Sequence, residues 1–265
     1  MKIVDCFMFY NELDLLNYRL HILNDVVDYF IIVESMYTFM GNEKKLFYNE
    51  NKELFKDFNE KIIHIIVDEV PYNTPNVNNN EQWINEIFQR NAISRGFHFI
   101  ELCSDDLLII ADLDEIPDPN TLDKIKKGLI QVGFNTLFLD AYYYNLNSKL
   151  HMNPESTKII TYQTYKELNI TCNDIRNYST PNILNGGWHL SYFGDPHFIK
   201  NKMNEFSHQE YNNDTYTNVD IIEEKIKNFK DIYNRKMHIE NINVKDNHYL
   251  PPQYEKYLKK YYKYI

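Results

Sequence analysis

The chain has 265 residues, with 28 Lys and Arg against 38 Asp and Glu, a net charge of -10 and a pI near 5.4. It is long enough to bury the core of one large α/β domain, and so acidic a balance argues against nucleic acid or an anionic membrane as the main partner, since both select basic surfaces. Cys6, Cys103 and Cys172 are odd in number and lack metal-ligand spacing, which excludes a disulfide framework and fits a reducing compartment.

Charges at Lys2 and Asp5 come too early for a signal peptide, and no apolar stretch approaches the ~20 residues of a membrane span. The expected location is therefore the cytoplasm. Asn-x-Ser/Thr triplets at Asn169, Asn177 and Asn213 are expected by chance in so Asn-rich a chain and are not read as glycosylated.

Residues 2–9 read as a first strand, and residues 12–24 as an amphipathic helix with Leu13, Leu16, Leu20 and Leu23 on one stripe. Apolar runs at residues 29–34 and 62–67 give a second and a third strand, so strand and helix alternate as in a doubly wound sheet. Residues 71–82 carry no periodicity and read as a surface loop. A helix over residues 81–95 follows; Arg90 on it could reach a phosphate, or pair with acids.

The most informative stretch is Leu107-Leu-Ile-Ile-Ala111-Asp112-Leu-Asp114-Glu115-Ile-Pro117-Asp118. Five apolar residues mark a strand buried on both faces. Two carboxylates two residues apart then leave the same face of an extended backbone, Asp112 and Asp114, with Pro117 and Pro119 ending the strand. Carboxylates this close repel unless a cation sits between them, and sites in open α/β sheets lie past the carboxyl ends of such strands. The stretch therefore reads as a divalent metal site. The plainer alternative is a turn, with Asp118 or Asn120 capping a helix over residues 121–129.

The second half differs in grain. Residues 136–145 and 158–165 read as strands without a long helix between them, hence mixed or antiparallel. Residues 220–235 read as a helix capped by Asp220, with Ile222, Ile226, Phe229 and Tyr233 buried. Residues 254–265 read as a solvated helix that packs tyrosines on the domain. Between them, Asn185-Gly-Gly-Trp188-His189-Leu-Ser191-Tyr-Phe-Gly194-Asp195 holds three of the seven glycines and one of the two tryptophans. Glycine admits close backbone approach, Trp offers a flat face to a sugar, and His is a common metal ligand. His208 and His248 lie in weaker motifs, with His248 a rival metal ligand.

Taken in order, Asn11-Glu12-Leu-Asp-Leu-Leu-x-x-Arg19, Val33-Glu34-Ser35-x-x-Thr38, Phe88-Gln-Arg90-Asn91-Ala-Ile-Ser-Arg95, Ile110-Ala-Asp112-Leu-Asp114-Glu115-Ile-Pro117, Gly187-Trp188-His189-x-Ser191 and His248-Tyr249-x-Pro251 resemble glycosyltransferase family 17. The resemblance runs from residue 1 to about residue 255 and is weakest over residues 140–185. It implies a GT-A fold in a single domain, with residues 1–118 as the nucleotide-sugar half and residues 119–265 as the acceptor-side half. It implies a UDP-sugar donor, with N-acetylglucosamine the expected sugar, a glycan acceptor, inversion at the anomeric carbon, and Mn²⁺ or Mg²⁺ on the donor diphosphate.

On that basis Asp112, Asp114 and His189 are the expected metal ligands. Glu115 and Asp195 are the expected bases, with Asp195 otherwise a helix cap ahead of Pro196. Asn11, Glu12, Glu34, Arg90, Asn91, Asp112, Asp114 and Trp188 are the expected donor contacts. Two rivals are a haloacid-dehalogenase-type phosphatase and a non-catalytic sugar-binding module. The phosphatase pattern wants Thr or Val where this chain has Ile116, and no convincing Lys and Asp-Asp pair follows.

Overall fold

The computed structural model describes residues 1–152 and 156–263. Strands β1 (Ile3–Phe9), β2 (Tyr29–Ser35), β3 (Ile62–Val67) and β4 (Leu107–Asp112) are mutually parallel in the order β3-β2-β1-β4. β1, β2 and β4 are buried almost throughout, as runs of Ile, Leu, Val and Phe covered on both faces must be. Helices Leu13–Leu23 and Glu81–Asn91 connect them. The second predicted helix breaks at Ala92 and resumes as Ile93–Gly96, where Gly96 packs against Ile31 so closely that an added Cβ would lie 2.7 Å from a side-chain carbon.

Beyond β4 the chain turns at Leu113 and Asp114 into β5 (Glu115–Pro117), so Pro117 lies within a second short strand instead of ending the first. Strands β6 (Phe134–Tyr143), β7 (Ser148–Leu150), β8 (Lys158–Thr161), β9 (Asn182–Ser191) and β10 (Ile239–Asn241) extend the same sheet with mixed direction. β8 is antiparallel to β4 and β6, while β9 is parallel to β6 and antiparallel to β5. This α/β sheet, parallel in its first half and mixed in its second, is consistent with a GT-A arrangement.

Three predicted elements change. The strand expected over residues 158–165 stops at Thr161, whose side chain accepts from the Thr164 amide and caps the helix Tyr162–Leu168. The helix expected over residues 220–235 is Val219–Lys227, capped by Asn218 instead of Asp220. It cannot continue because Phe229 takes φ 53°, and buried Lys225 turns back to donate to the carbonyls of Asp231 and Ile232. Of the C-terminal helix only Tyr254–Tyr257 is α-helical among the described residues, and residues 264–265 lie outside them. The segment still packs Tyr254, Tyr257, Tyr261 and Tyr262 on the main core. No helix among the described residues is long and apolar enough to cross a membrane.

The glycines of the 185–187 stretch serve the sheet itself. A Cβ on Gly187 (φ 141°) would lie 2.0 Å from the Ile116 carbonyl, and one on Gly186 would lie 2.5 Å from the Phe138 amide. Trp188, expected to face a sugar, is 1% exposed, lies in the main core, tilts over Tyr249 and donates to its carbonyl at 3.3 Å.

At the centre, Arg19 of the first helix is wholly buried. Its Nε and Nη2 reach both oxygens of Asp5 at 2.8 and 2.6 Å, and its guanidinium lies 4.4 Å from the Phe7 ring centroid. Its Nη1 donates to the carbonyls of Asp112, Leu113 and Glu115 at 2.8–2.9 Å. Arg19→Met would leave Asp5 charged and unpaired in the core. It is expected to lower stability by about 3–5 kcal/mol in urea unfolding; a loss under 1 kcal/mol would show the pair to be dispensable.

Candidate active site

A cavity of about 260 Å³ opens at the carboxyl ends of β1, β2 and β4, lined among others by Tyr10, Glu12, Glu86, Arg90, Asp112, Asp114, His189, Lys202 and His208. Its position follows from topology, since the parallel strands deliver their terminal residues to one edge. β9 brings His189 into register opposite Glu115. The helix Pro196–Glu205, capped by Asp195, carries Lys202 across from the second half.

The acids at the strand end are close together, and the cations between them are the protein's own. Arg176, on the helix Cys172–Asn177, grips Glu115 with two nitrogens at 2.7 and 3.0 Å and Asp112 Oδ2 at 2.9 Å. Arg90 approaches Asp112 Oδ1 at 3.3 Å and Glu86 Oε1 at 2.7 Å. Lys202 Nζ lies 3.1 Å from Asp114 Oδ2 and 3.3 Å from Glu12 Oε1, and His189 Nε2 lies 3.6 Å from Asp114 Oδ1. Burial raises the Asp112 carboxyl above its ordinary value despite Arg176 and Arg90, whereas at Asp114 and Lys202 burial is outweighed by the partners. Lys202 and His189 hold the Asp114 carboxyl below its ordinary range, while Asp114 and Glu12 hold the Lys202 ammonium charged. The repulsion expected between Asp112 and Asp114 is thus already neutralised, and Asp114→Asn would leave Lys202 less well paired instead of relieving strain.

Glu115 is not placed as a base. It accepts from the Asp112 amide, the Ser156 and Thr157 hydroxyls and two Arg176 nitrogens. Burial alone would raise its pKa, but Arg176 and these hydrogen bonds drive it far below the usual carboxylate range. A carboxylate with its lone pairs engaged and its proton affinity this low braces the turn. Asp195 accepts from the Phe198 amide as a helix cap and lines a different, larger cavity of about 1080 Å³. Glu12 lines both cavities.

Other expected contacts also move. Glu34 is fully buried and accepts from the Tyr48 and Asn49 amides and from His64, so it fixes the turn after β2 and lines neither cavity. Asn91 accepts from the Asn173 amide and joins two helices. Asn11 lines the larger cavity, with its Oδ1 unpaired among the described residues. His248 is exposed and lines neither cavity. Arg176 and Lys202, which no motif singles out, are the additions; each is one basic residue in a polar stretch, and only the fold brings it to the acids.

The expected metal set was Asp112, Asp114 and His189. No group of three His, Cys, Asp or Glu among the described residues is placed to hold a metal, and both Asp112 oxygens face arginines. Asp114 Oδ1 and His189 Nε2, 3.6 Å apart, nevertheless suit one ion, since donors about 2.0–2.1 Å from a shared Mg²⁺ lie roughly 3 Å apart at right angles. An oxygen and an imidazole nitrogen open to a cavity fit Mn²⁺ or Mg²⁺, with the remaining positions left to phosphate oxygens and water.

The fold and this cavity define an α/β protein whose candidate site lies past the carboxyl ends of its parallel strands. A family model described as Glycosyltransferase family 17 matches residues 1–246, and the chain belongs to that family. Its membership of that family removes the haloacid-dehalogenase-type reading. Among its relatives are the beta-1,4-mannosyl-glycoprotein 4-beta-N-acetylglucosaminyltransferases of Rattus norvegicus and Homo sapiens, each 29% identical over 120 residues. The aligned stretch is 44% of this chain and spans only 22% of each relative.

Glu115→Gln tests the bracing role. Because the folded pKa is depressed, the carboxylate contributes stability above the ordinary Glu value of about 4.3, and this is lost as pH falls toward the folded value. The variant is expected to be less stable than the parent at pH 7, with the gap narrowing below about pH 4 in urea unfolding. A gap that widens in acid would contradict the assignment.

Proposed function

We propose that the protein transfers N-acetylglucosamine from UDP-N-acetylglucosamine to a glycan hydroxyl, with inversion at the anomeric carbon and with Mn²⁺ or Mg²⁺. The observation that carries this reading is the convergence of Asp114, His189, Lys202 and Arg90 on one cavity at the strand ends of a family 17 chain. The named relatives act on a β-1,4-mannosyl glycoprotein and transfer N-acetylglucosamine, which supports the choice of donor.

Arg90 and Lys202 present cationic groups to a diphosphate, and both are held in place by acids, so little reorganisation is needed as charge develops on the departing nucleotide. Asp114 and His189 would hold the divalent ion, which when bound supplies further neutralisation of that charge. Attack on an oxocarbenium-like centre from the opposite face needs a carboxylate to take the acceptor's proton. Glu12, on the wall shared by the two cavities, is the residue proposed for that step. The larger cavity offers the acceptor aromatic faces from Phe193, Phe229 and Tyr261 beside Asn145 and Asn147.

Two substitutions test this. Asp114→Asn should abolish the Mn²⁺-dependent thermal shift given by UDP-N-acetylglucosamine and abolish transfer; a variant that keeps both removes Asp114 from the metal. Glu12→Gln should lower kcat by about 10²–10⁴-fold, with UDP affinity within a few-fold of the parent's. Parental kcat in that variant would remove Glu12 as the base. Absence of any UDP-sugar binding by the parent would overturn the reading as a whole.

A further inference from the structure

Among the described residues, the lysines and arginines that line the smaller cavity are Lys44, Arg90, Lys202 and Arg235. Three of them are matched by acids: Arg90 by Glu86 and Asp112, Lys202 by Glu12 and Asp114, and Arg235 by Asp231. Lys44 differs. Among the described residues its ammonium has no ion pair and a single hydrogen bond, a long and solvent-exposed one to the Lys45 carbonyl at 3.3 Å. It lies over the Tyr10 and Phe47 rings, 5.4 and 5.7 Å from their centroids, and such faces attract a cation only weakly.

The backbone that carries Lys44 is held from several sides. After β2 the chain makes a tight excursion, closed by the Tyr37–Glu43 bridge and by the Lys44 amide, which donates to the Met36 carbonyl at 2.8 Å. Asn85 of the helix Glu81–Asn91 donates to the Phe39 carbonyl at 2.9 Å. Just downstream, Glu34 accepts from the Tyr48 and Asn49 amides. A braced loop thus delivers a partly exposed ammonium, free of any acid, to the cavity wall.

A charge partly withdrawn from water without a counter-charge is disfavoured. Burial accordingly pushes the Lys44 pKa down to about 8, against the pull of Glu34 and Glu12. An ammonium carries three donors and no acceptor, so its complement is an acceptor, and an anionic oxygen makes the stronger bond.

We propose that Lys44 is a binding residue for the donor's diphosphate, its ammonium donating to a phosphate oxygen. The assignment rests on the UDP-sugar reading above and adds to it a third cation, from the loop after β2, beside Arg90 and Lys202. Committed to no acid, Lys44 has its whole charge available to the phosphate.

Titration calorimetry of the full chain with UDP and with inorganic pyrophosphate, both in Mg²⁺, tests this contact. Lys44→Met should weaken both ligands about tenfold or more, and Lys44→Arg should restore most of the affinity. The pH profile reads the charge itself. If only the charged ammonium meets the phosphate, the parent's affinity for UDP falls roughly tenfold from pH 7 to pH 9, as the charged fraction does, whereas Lys44→Arg, charged throughout, loses far less. The groups around the ammonium are Tyr10 and Glu12 beyond β1, Glu34 at the end of β2, and Glu205, which is bonded to Asn42 of the same loop. Tyr10 is raised above its ordinary value by burial and stays neutral over this range.

An unchanged UDP affinity in Lys44→Met, a loss of UDP with pyrophosphate unaffected, or a fall with pH shared equally by Lys44→Arg overturns the assignment and leaves the donor reading standing. Should Lys44→Met fail to fold by circular dichroism, the comparison of parent with Lys44→Arg across pH carries the test. A parent that binds no UDP sinks the donor reading and this assignment with it.

Discussion

Arg19 is the constraint on which the site depends. One guanidinium, neutralised by Asp5 and stacked near Phe7, holds the carbonyl groups of Asp112, Leu113 and Glu115 at the turn that follows β4. Without a donor in the core those carbonyls would be buried and unpaired, since the chain there leaves one strand for another. The buried charge is costly in isolation and acceptable because Asp5 pairs it and all three guanidinium nitrogens are hydrogen-bonded. What it secures is the backbone path that points Asp112 and Asp114 into one cavity while Glu115 turns back toward Arg176.

Above that turn the site is a balance of fixed charges. Glu12, Glu86, Asp112, Asp114 and Glu115 meet Arg90, Arg176 and Lys202, with His189 beside them. Asp114, Glu115, Arg176 and Lys202 keep their charges despite burial, so the cavity presents oriented positive and negative edges before any ligand arrives. The carboxylates divide by how many partners each has. Glu115, with five donors, is structural, whereas Asp114 and Glu12 share one ammonium and retain capacity for other partners.

The first half of the fold was legible because its strands are buried on both faces and read as continuous apolar runs, and because helices of ordinary length separate them. Boundaries failed where a single side chain decided them: Thr161 capping the next helix, and Phe229 adopting a positive φ. In the site, Asp112 and Asp114 could be placed because they follow directly from a strand end. Trp188 and its glycines were misassigned to a ligand, since close approach to a sheet neighbour and close approach to a sugar demand the same residues. Arg176 and Lys202 were invisible for a different reason. They lie 64 and 88 residues from the acids they meet, and a lone basic residue in a polar helix carries no periodic or local sign of its partner.

Arg176 also changes how the middle of the chain should be regarded. It comes from residues 140–185, the stretch that resembles family 17 least, yet it supplies the counter-charge for Asp112 and Glu115. That segment is thus no exchangeable cassette laid over a finished catalytic base. Grafting another family member's loops here would remove the electrostatic keystone of the acidic turn unless the graft brought its own arginine to the same place, so drift in this region is coupled, through one side chain, to the geometry at the end of β4.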